Sequence, residues 1–166
     1  MALVLAAPPL FACGILVYTC PMEETIAILD FGSQYSQLIA RRVRENRVFS
    51  VVCPPDIAPE RLAAMNIVGM IFSGGPASVY EANAPKCDPR ILELGVPVLG
   101  ICYGMQVTCQ LLGAKVDAAP AREYGRTQVD VLQSDGLFTH VPSPMTVWMS
   151  HGDMVQSLPT DFVPLA

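Results

Sequence analysis

The sequence predicts an α/β domain, in which a doubly wound, mostly parallel sheet of the flavodoxin-like kind carries helices on both faces. Four apolar segments of strand length alternate with segments of helix length, and this alternation is typical of β-α-β units with right-handed crossovers. The apolar segments are rich in Val, Ile and Leu, as strands buried on both faces are. The chain has 166 residues, 52% of them hydrophobic and 15% charged, so it has the length of one domain and is too apolar to be disordered.

The first part of the chain predicts three strands and two helices. TIAILD (25–30) predicts the first strand, and a helix follows in 33–46, where apolar residues recur at helical spacing and Ser33 is available as the N-cap. VFSVVC (48–53) predicts the second strand, followed by a short helix in APERLAAM (58–65), which has Pro in its first turn. NIVGMIF (66–72) leads into the third strand, which ends at SGGP.

The alternation of strands and helices continues to Gly113 and then gives way to short strands. DPRILEL (88–94) predicts a helix ending near Gly95, VPVLGI (96–101) a fourth strand, and GMQVTCQLLG (104–113) the next helix, with Gly113 just past its end. Beyond it we expect short strands in KVDA, TQVDVL and MTVWM, joined by turns that contain Pro and Gly. In such sheets ligands bind beyond the carboxyl ends of the strands, so the loops that leave the strands there are the candidate site.

The first 21 residues are expected to lie outside this fold. They contain no charged residue, so no basic residue precedes their apolar core, and Pro8–Pro9 interrupts that core. These features disfavour both a signal peptide and a membrane span. We expect residues 1–21 to be an apolar extension and residues 22–166 to form the domain, incomplete at its C-terminus, with Met22 as the functional start.

Charge and cysteine usage exclude several classes of partner. The net charge is −5, with only ten Lys and Arg residues, so the basic face that a nucleic-acid binder needs is not predicted. The six cysteines form no CxxC pair and both histidines are far from any cysteine cluster, which disfavours a metal site. We expect free thiols in a reducing cytoplasm, no metal in this domain and no membrane partner.

The strongest chemical signal is Gly100–Ile101–Cys102–Tyr103–Gly104, which lies between a predicted strand and a predicted helix. This is the G-x-nucleophile-x-G elbow with Cys in the place of Ser. A helix N-terminus favours a thiolate, and the tight turn aims the backbone N–H of Tyr103 at an oxyanion. The pattern is short, and a cysteine buried in a glycine-rich turn is the alternative.

Two further loops carry polar groups at the same edge. Ser73–Gly74–Gly75–Pro76 can turn backbone N–H groups into the cleft as a second oxyanion donor, although a phosphate cradle or a purely structural turn is also open. Trp148–Asp153 contains His151 and Asp153, which suggest a Cys–His–Asp triad. Residues two apart on a loop point in different directions, so substrate binding is the more economical interpretation.

Five separated segments together resemble the class I glutamine amidotransferase domain of the GMP synthetase family. They are ILDFGSQYSQLIARRVRE (28–45), SGGPASVYE (73–81), GVPVLGICYGMQ (95–106), REYGRTQVDV (122–131) and VWMSHGD (147–153). The resemblance runs from about Glu24 to the end of the sequence. DFGSQY and WMSHGD are particular to this family, whereas the Gly-x-Cys-x-Gly and Gly-Gly-Pro elements are shared with other class I amidotransferases.

The resemblance implies a role for each matched residue. Cys102 is similar to the nucleophile that attacks the glutamine side-chain amide, giving a γ-glutamyl thioester and ammonia. The oxyanion hole would consist of Gly75 and Tyr103. Glutamine would be held by Gln106, Ser150, His151 and Asp153.

The resemblance also implies partners outside this sequence. A synthetase domain of the ATP-pyrophosphatase type would bind ATP and Mg²⁺ and use the ammonia to convert XMP to GMP in purine biosynthesis, and the complete enzyme would be a homodimer. The family's catalytic base is a His followed two residues later by Glu. Neither His140 nor His151 has that form. We therefore expect these 166 residues by themselves to hydrolyse glutamine slowly. Two alternatives stay open, namely an amidotransferase subunit for anthranilate or carbamoyl phosphate synthesis and a non-catalytic binding fragment.

Overall fold

The computed structural model describes residues 23–134, 136–160 and 162–166, without the side chains of residues 120–123, 150 and 151. The predicted extension at residues 1–21, with Cys13 and Cys20, and the proposed start at Met22 lie outside the described residues.

Strands and helices alternate through the first two thirds of the described chain. In chain order they are β1 (Thr25–Leu29), α1 (Ser36–Glu45), β2 (Phe49–Cys53), α2 (Pro59–Ala63), β3 (Ile67–Phe72), a 3₁₀ helix (Pro89–Leu94), β4 (Val98–Gly100), α3 (Tyr103–Leu111), β5 (Val116–Val129), a second 3₁₀ helix (Gly136–Phe138) and β6 (Met145–Val155).

The first four strands form one parallel sheet in the order β2-β1-β3-β4. This confirms the predicted α/β class with a central parallel sheet. The chain winds from β1 to β2 on one side and then places β3 on the other side of β1. The loops that leave β1 and β3 therefore diverge at their carboxyl ends, and such a switch point is where open α/β sheets form their ligand clefts.

The register brings three loops to one place. Leu29 of β1 pairs with Phe72 of β3, which pairs with Gly100 of β4. The ladder continues one residue further, where Ser73 N donates to Leu29 O and Ile101 N donates to Phe72 O, both at 3.0 Å. Each loop therefore begins at the same level of the sheet.

The core lies against this sheet and continues beneath the loops. Its most deeply buried members come from the strands, from the loops that follow them and from the helices: Ala27, Leu29, Phe31, Leu62, Met70, Phe72, Val79, Ile91, Tyr103 and Val107. The ring of Phe31 is 5.6 Å from that of Phe72 and 5.5 Å from that of Tyr103, centroid to centroid. The three rings join the loops after β1 and β4 to the end of β3, and aromatic pairs at such separations add to the energy of burial.

The predicted N-cap of the first helix is wrong. Helix α1 begins at Ser36 with Tyr35 as its N-cap, because the hydroxyl of Ser33 accepts from Tyr35 N at 3.0 Å and closes a turn just before the helix. The helix predicted in residues 88–94 is present as a 3₁₀ helix over Pro89–Leu94, and it ends at Gly95 as expected. This segment is only six residues long, and the αL backbone of Gly95 (φ 72°) ends it before an α-helix can propagate.

The predicted turns between KVDA and TQVDVL, and the predicted loop at 148–153, are also wrong. Residues 116–129 form one long strand, β5, which pairs antiparallel with β6, and residues 148–153 lie inside β6. The register shifts between Ala118 and Glu123, so Pro120 falls where the ladder is irregular and no regular backbone donor is required. Proline there interrupts the ladder without ending the strand.

The described cysteines fall into two environments. Cys53, Cys87 and Cys109 are buried and Cys102 is exposed, and all four are free thiols. Burial raises the pKa of Cys53 and of Cys109, and raises the pKa of Cys87 to about 11. No helix in the described part of the chain is long and apolar enough to cross a membrane.

Candidate active site

Cys102 sits on a strained turn between β4 and α3. Its φ is 48° and its ψ is −111°, a combination that glycine adopts easily and that costs other residues about 1–3 kcal/mol. A Cβ on Gly100 would lie 2.6 Å from Met105 Cα, and one on Gly104 would collide with the carbonyl oxygen of Phe72. Both flanking glycines are therefore required by close backbone approach, as the elbow pattern predicts. The thiol is exposed, so the alternative of a buried cysteine does not apply.

The loop after β3 lies beside this thiol. A Cβ on Gly74 would be 3.7 Å from Cys102 Cβ, and one on Gly75 would be 2.5 Å from the carbonyl oxygen of Phe31. The side chain of Ser73, fully buried, accepts from Phe31 N at 2.9 Å and donates to Gly74 O at 2.9 Å. The loop is thus packed tightly between the turn after β1 and the elbow.

Two backbone N–H groups beside Cys102 have no partner among the described residues. They belong to Gly75 and Tyr103, and both residues line the same cleft as Cys102. Buried or half-buried backbone donors are nearly always paired. Two unpaired donors next to a thiol form an arrangement that can accept a developing oxyanion.

The cleft in front of the thiol has a volume of about 500 Å³, which suits a small-molecule ligand. Its lining comes from the loops after β3 and β4, from α3 and from the β5–β6 ribbon: Gly75, Pro76, Ala77, Ser78, Tyr80, Glu81, Cys102, Tyr103, Gln106, Ala118, Ala119, Tyr124, Gly152 and Asp153.

The structure gathers five of the seven predicted site residues in this cleft: Cys102, Gly75, Tyr103, Gln106 and Asp153. Gln106 is one turn along α3, its N–H donating to Cys102 O at 3.0 Å, and it is buried although it faces the cleft. The backbones of Ser150 and His151 lie in β6, opposite Tyr124 and Glu123. The side chains of Ser150 and His151 are outside the described part of the structure.

Three of the cleft residues to which the sequence assigned no role have large polar side chains. Tyr80 and Glu81 are the last two residues of the SGGPASVYE segment (73–81), and Tyr124 lies in β5. All three lie within segments that carry the family resemblance, but that resemblance implied no role for them. The Tyr80 hydroxyl donates to Asp153 Oδ1 at 2.8 Å.

The charges of the described lining favour a cationic group over a phosphate. Glu81 and Asp153 supply two carboxylates, and no described lining residue is Lys, Arg or His. A phosphate at the SGGP loop would face both carboxylates without a basic partner, which disfavours the phosphate cradle. An ammonium group would be attracted to the same two side chains.

Tyr103 is an anchor for the elbow and stays neutral. Burial, with the nearby Cys87 and Glu81, raises the pKa of its phenol. The hydroxyl donates to Pro85 O at 2.6 Å, while the backbone N–H stands at the first turn of α3. The side chain thus holds this N–H in place without taking part in acid–base chemistry at neutral pH.

The family model for Glutamine amidotransferase class-I matches residues 27–166. This chain belongs to the class-I glutamine amidotransferase family. The nucleophile elbow and the cleft described above lie within the matched range.

Relatives within the family share more than half of the matched positions. A GMP synthase [glutamine-hydrolyzing] of Caldanaerobacter subterraneus is 54% identical over 140 residues, which is 84% of this chain and 27% of that relative. One of Parasynechococcus marenigrum is 55% identical over 145 residues, which is 87% of this chain and 28% of that relative. The amidotransferase chain therefore spans little more than a quarter of the length of these relatives.

Solved structures agree with the fold. A crystal structure from Thermoplasma acidophilum, provisionally described as that of a GMP synthase subunit, matches with a TM-score of 0.74 and 32% identity, covering 85% of this chain and 71% of that one. A glutamine amidotransferase from Thermotoga maritima matches with a TM-score of 0.61 and 23% identity, covering 84% of this chain and 64% of that one. The second likeness concerns the amidotransferase fold alone.

Proposed function

We propose that this chain is the ammonia-producing part of a glutamine-hydrolysing GMP synthetase. The observation that carries the proposal is the exposed thiol of Cys102, which shares one cleft with two carboxylates and with two backbone N–H groups that have no partner in the described part of the chain. An amide carbonyl needs a nucleophile and an oxyanion site, and an amino acid needs carboxylates for its ammonium group. The groups that line this cleft support the proposal on both counts.

In the proposed reaction the sulfur of Cys102 attacks the side-chain amide carbon of L-glutamine. The carbonyl oxygen becomes an oxyanion that accepts hydrogen bonds from the N–H groups of Gly75 and Tyr103. Collapse of this intermediate breaks the C–N bond, and the leaving nitrogen takes a proton and departs as ammonia, leaving a γ-glutamyl thioester on Cys102. Water then hydrolyses the thioester to glutamate.

The remaining predicted residues hold the rest of the glutamine molecule. Asp153, with Ser150 and His151 next to it in the chain, is proposed to bind the α-amino and α-carboxylate groups, and Gln106 to hold the amino-acid end from the helix. Asp153 is then a binding residue and does not orient a catalytic base. Asp153 lines the cleft and accepts a hydrogen bond there from Tyr80, another lining residue, which supports this assignment.

The acceptor of the ammonia is proposed from the relatives. Those named GMP synthase [glutamine-hydrolyzing] support a synthetase partner that uses ATP and Mg²⁺ to aminate XMP. They do not favour the anthranilate or carbamoyl phosphate alternatives. A cytoplasmic location and a homodimer of the complete enzyme are part of the same proposal.

Labelling tests the proposed nucleophile. A diazo-ketone analogue of glutamine should modify Cys102, L-glutamine should protect against it, and a Cys102→Ala variant should not be modified. Modification that persists in Cys102→Ala at a similar rate would exclude the assignment. Cys53→Ala, which changes a buried thiol at the end of β2, is the matched control and should be labelled as the original chain is.

Turnover distinguishes a complete glutaminase from a binding fragment. Neither histidine is followed by Glu at the second position, and a general base contributes about 10²–10⁴-fold to such reactions. We therefore expect these 166 residues to release ammonia from glutamine at close to the background rate. Normal turnover would mean that the His-x-Glu base is not needed.

A further inference from the structure

The hydroxyl of Ser73 occupies a central place beneath the cleft. The side chain is completely buried, at 0% exposure. Its oxygen accepts from Phe31 N and its proton goes to Gly74 O, each at 2.9 Å. The hydroxyl therefore uses both a donor and an acceptor function, and it connects the turn after β1 to the loop after β3.

The bond to Gly74 O sets the direction of the next N–H. The peptide between Gly74 and Gly75 is trans, since the cis bond found in the described chain is Ser143–Pro144. In a planar trans peptide the C=O and the N–H point to opposite sides. With Gly74 O held inward by Ser73, the N–H of Gly75 is directed away from the core, and it donates to no described residue.

The same loop cannot easily rotate to another orientation. A Cβ at Gly75 would come within 2.5 Å of Phe31 O, so the backbone of residue 75 is already pressed against the turn after β1. Phe31 N is in turn held by Ser73. One buried hydroxyl therefore holds both sides of this contact.

We propose that Ser73 is a positioning residue, whose hydroxyl aims the Gly75 N–H at the oxygen of the reacting carbonyl. This rests on the proposed glutaminase function and adds to it a group that touches neither substrate nor nucleophile. Without the hydroxyl, Gly74 O and Phe31 N both lose their buried partner, and the 74–75 peptide is held less firmly in its orientation. The oxyanion site then loses one aligned donor.

The test uses a chloroketone analogue of glutamine and the full chain. The sulfur of Cys102 adds to the ketone carbon, whose oxygen becomes an alkoxide. Transfer of the sulfur to the adjacent CH₂ then expels chloride and restores the ketone. The alkoxide depends on the oxyanion donors, so the maximal inactivation rate reports them, while the half-saturating concentration reports binding of the amino-acid end. Iodoacetamide, which forms no alkoxide, reports the intrinsic reactivity of the thiol.

In Ser73→Ala we expect the maximal inactivation rate to fall about tenfold or more, since loss of one oxyanion donor costs about 10²–10³-fold and here the donor is misaligned instead of absent. The half-saturating concentration and the iodoacetamide rate should change by less than about twofold, because neither depends on the oxyanion donors. Ser73→Thr keeps a hydroxyl and should restore the rate. An unchanged inactivation rate in Ser73→Ala, or a Thr variant as slow as the Ala variant, would overturn the proposal.

Ser50→Ala is the matched control for lost stability. Ser50 is also buried, and its hydroxyl donates to Ala40 O at 3.0 Å, between β2 and α1 and away from the cleft. It should lower the melting temperature without changing the inactivation rate. If Ser73→Ala does not fold, Ser73→Cys takes its place, because cysteine is close to serine in size and its thiol is a weaker hydrogen-bond donor. Peptide mapping should then show that Cys102 is modified at a rate between that of the original chain and the roughly tenfold lower rate expected for Ser73→Ala. A wild-type rate in Ser73→Cys would contradict the proposal.

The two proposals fail in different ways. If the unmodified chain reacts with the chloroketone no faster than a free thiol, and glutamine gives no protection, both are wrong. If the unmodified chain reacts quickly with protection and Ser73→Ala reacts equally quickly, the glutaminase proposal stands and the role of Ser73 is wrong.

Discussion

The hydroxyl of Tyr80 donates a 2.8 Å hydrogen bond to Asp153 Oδ1, although the two residues are 73 positions apart. Tyr80 lies in the loop after β3 and Asp153 lies in β6. The bond therefore connects the loops of the parallel sheet to the β5–β6 ribbon at the cleft. It holds the carboxylate that we propose to bind the ammonium group of glutamine.

Removing this bond should weaken binding of glutamine analogues and leave the chemistry intact. In Tyr80→Phe we expect the half-saturating concentration of the chloroketone to rise about two- to tenfold, since a net hydrogen bond contributes about 0.5–1.5 kcal/mol. The maximal inactivation rate should not change. Tyr35→Phe, another exposed tyrosine at the start of α1, should leave both constants as they are, and an unchanged half-saturating concentration in Tyr80→Phe would contradict the prediction.

Cys102→Gly should make the protein more stable while abolishing its labelling. The residue is held at φ 48° and ψ −111°, and relief of such strain is worth about 1–3 kcal/mol, from which the larger unfolded-state entropy of glycine subtracts about 0.5–1 kcal/mol. Urea unfolding of Cys102→Gly, compared with Cys102→Ala, measures the gain. A glycine variant no more stable than the alanine variant would mean that the turn is not strained.

Gly104→Ala should destabilise the domain strongly, because the added methyl group would collide with the carbonyl oxygen of Phe72. Overpacking of this kind costs about 1–3 kcal/mol or more. Gly113→Asn is the matched control: Gly113 has φ 87° and open space around it, and Asn tolerates the left-handed region. The melting temperature should fall clearly for Gly104→Ala and little for Gly113→Asn, and equal losses would contradict this account of the elbow.

Stability should decline in alkaline solution because of the buried thiols. Burial raises the pKa of Cys87 from 9.0 to about 11, so the folded state binds its proton more tightly than the unfolded chain does. The resulting stabilisation is complete below pH 9, decreases as the unfolded thiol ionises, and is lost as the pH rises through about 11. Urea midpoints at pH 7, 9 and 10 measure this, and Cys87→Ala should show a shallower decline. A midpoint that rose from pH 9 to 10 would have the wrong sign.

Much of the fold could be predicted because the first half of the chain obeys local rules. The segments TIAILD, VFSVVC and VPVLGI combine β-branched residues with turn residues at their ends, and the structure places a strand in each. The β5–β6 ribbon after Gly113 is harder to predict from the sequence. Pro and Gly within β5 look like turns in the sequence, whereas pairing with β6 overrides that local preference.

For the cleft, the sequence indicated the thiol and the SGGP loop beside it, since glycine spacing is a local property. It did not indicate Tyr80 or Ser73 as participants, because their partners Asp153 and Phe31 are far away in the chain. No periodicity or spacing records which distant atoms a hydroxyl will meet.

By itself the amino-acid sequence determined the α/β class, the elbow at Cys102 and the family resemblance, since each depends on residue types at short spacing. Only the tertiary structure decided that the thiol is exposed, that the N–H groups of Gly75 and Tyr103 beside it find no partner among the residues described, and that residues 148–153 lie in a strand. The physical reason is that burial, strand pairing and hydrogen-bond satisfaction depend on residues brought together from distant parts of the chain, once the sheet has set its register.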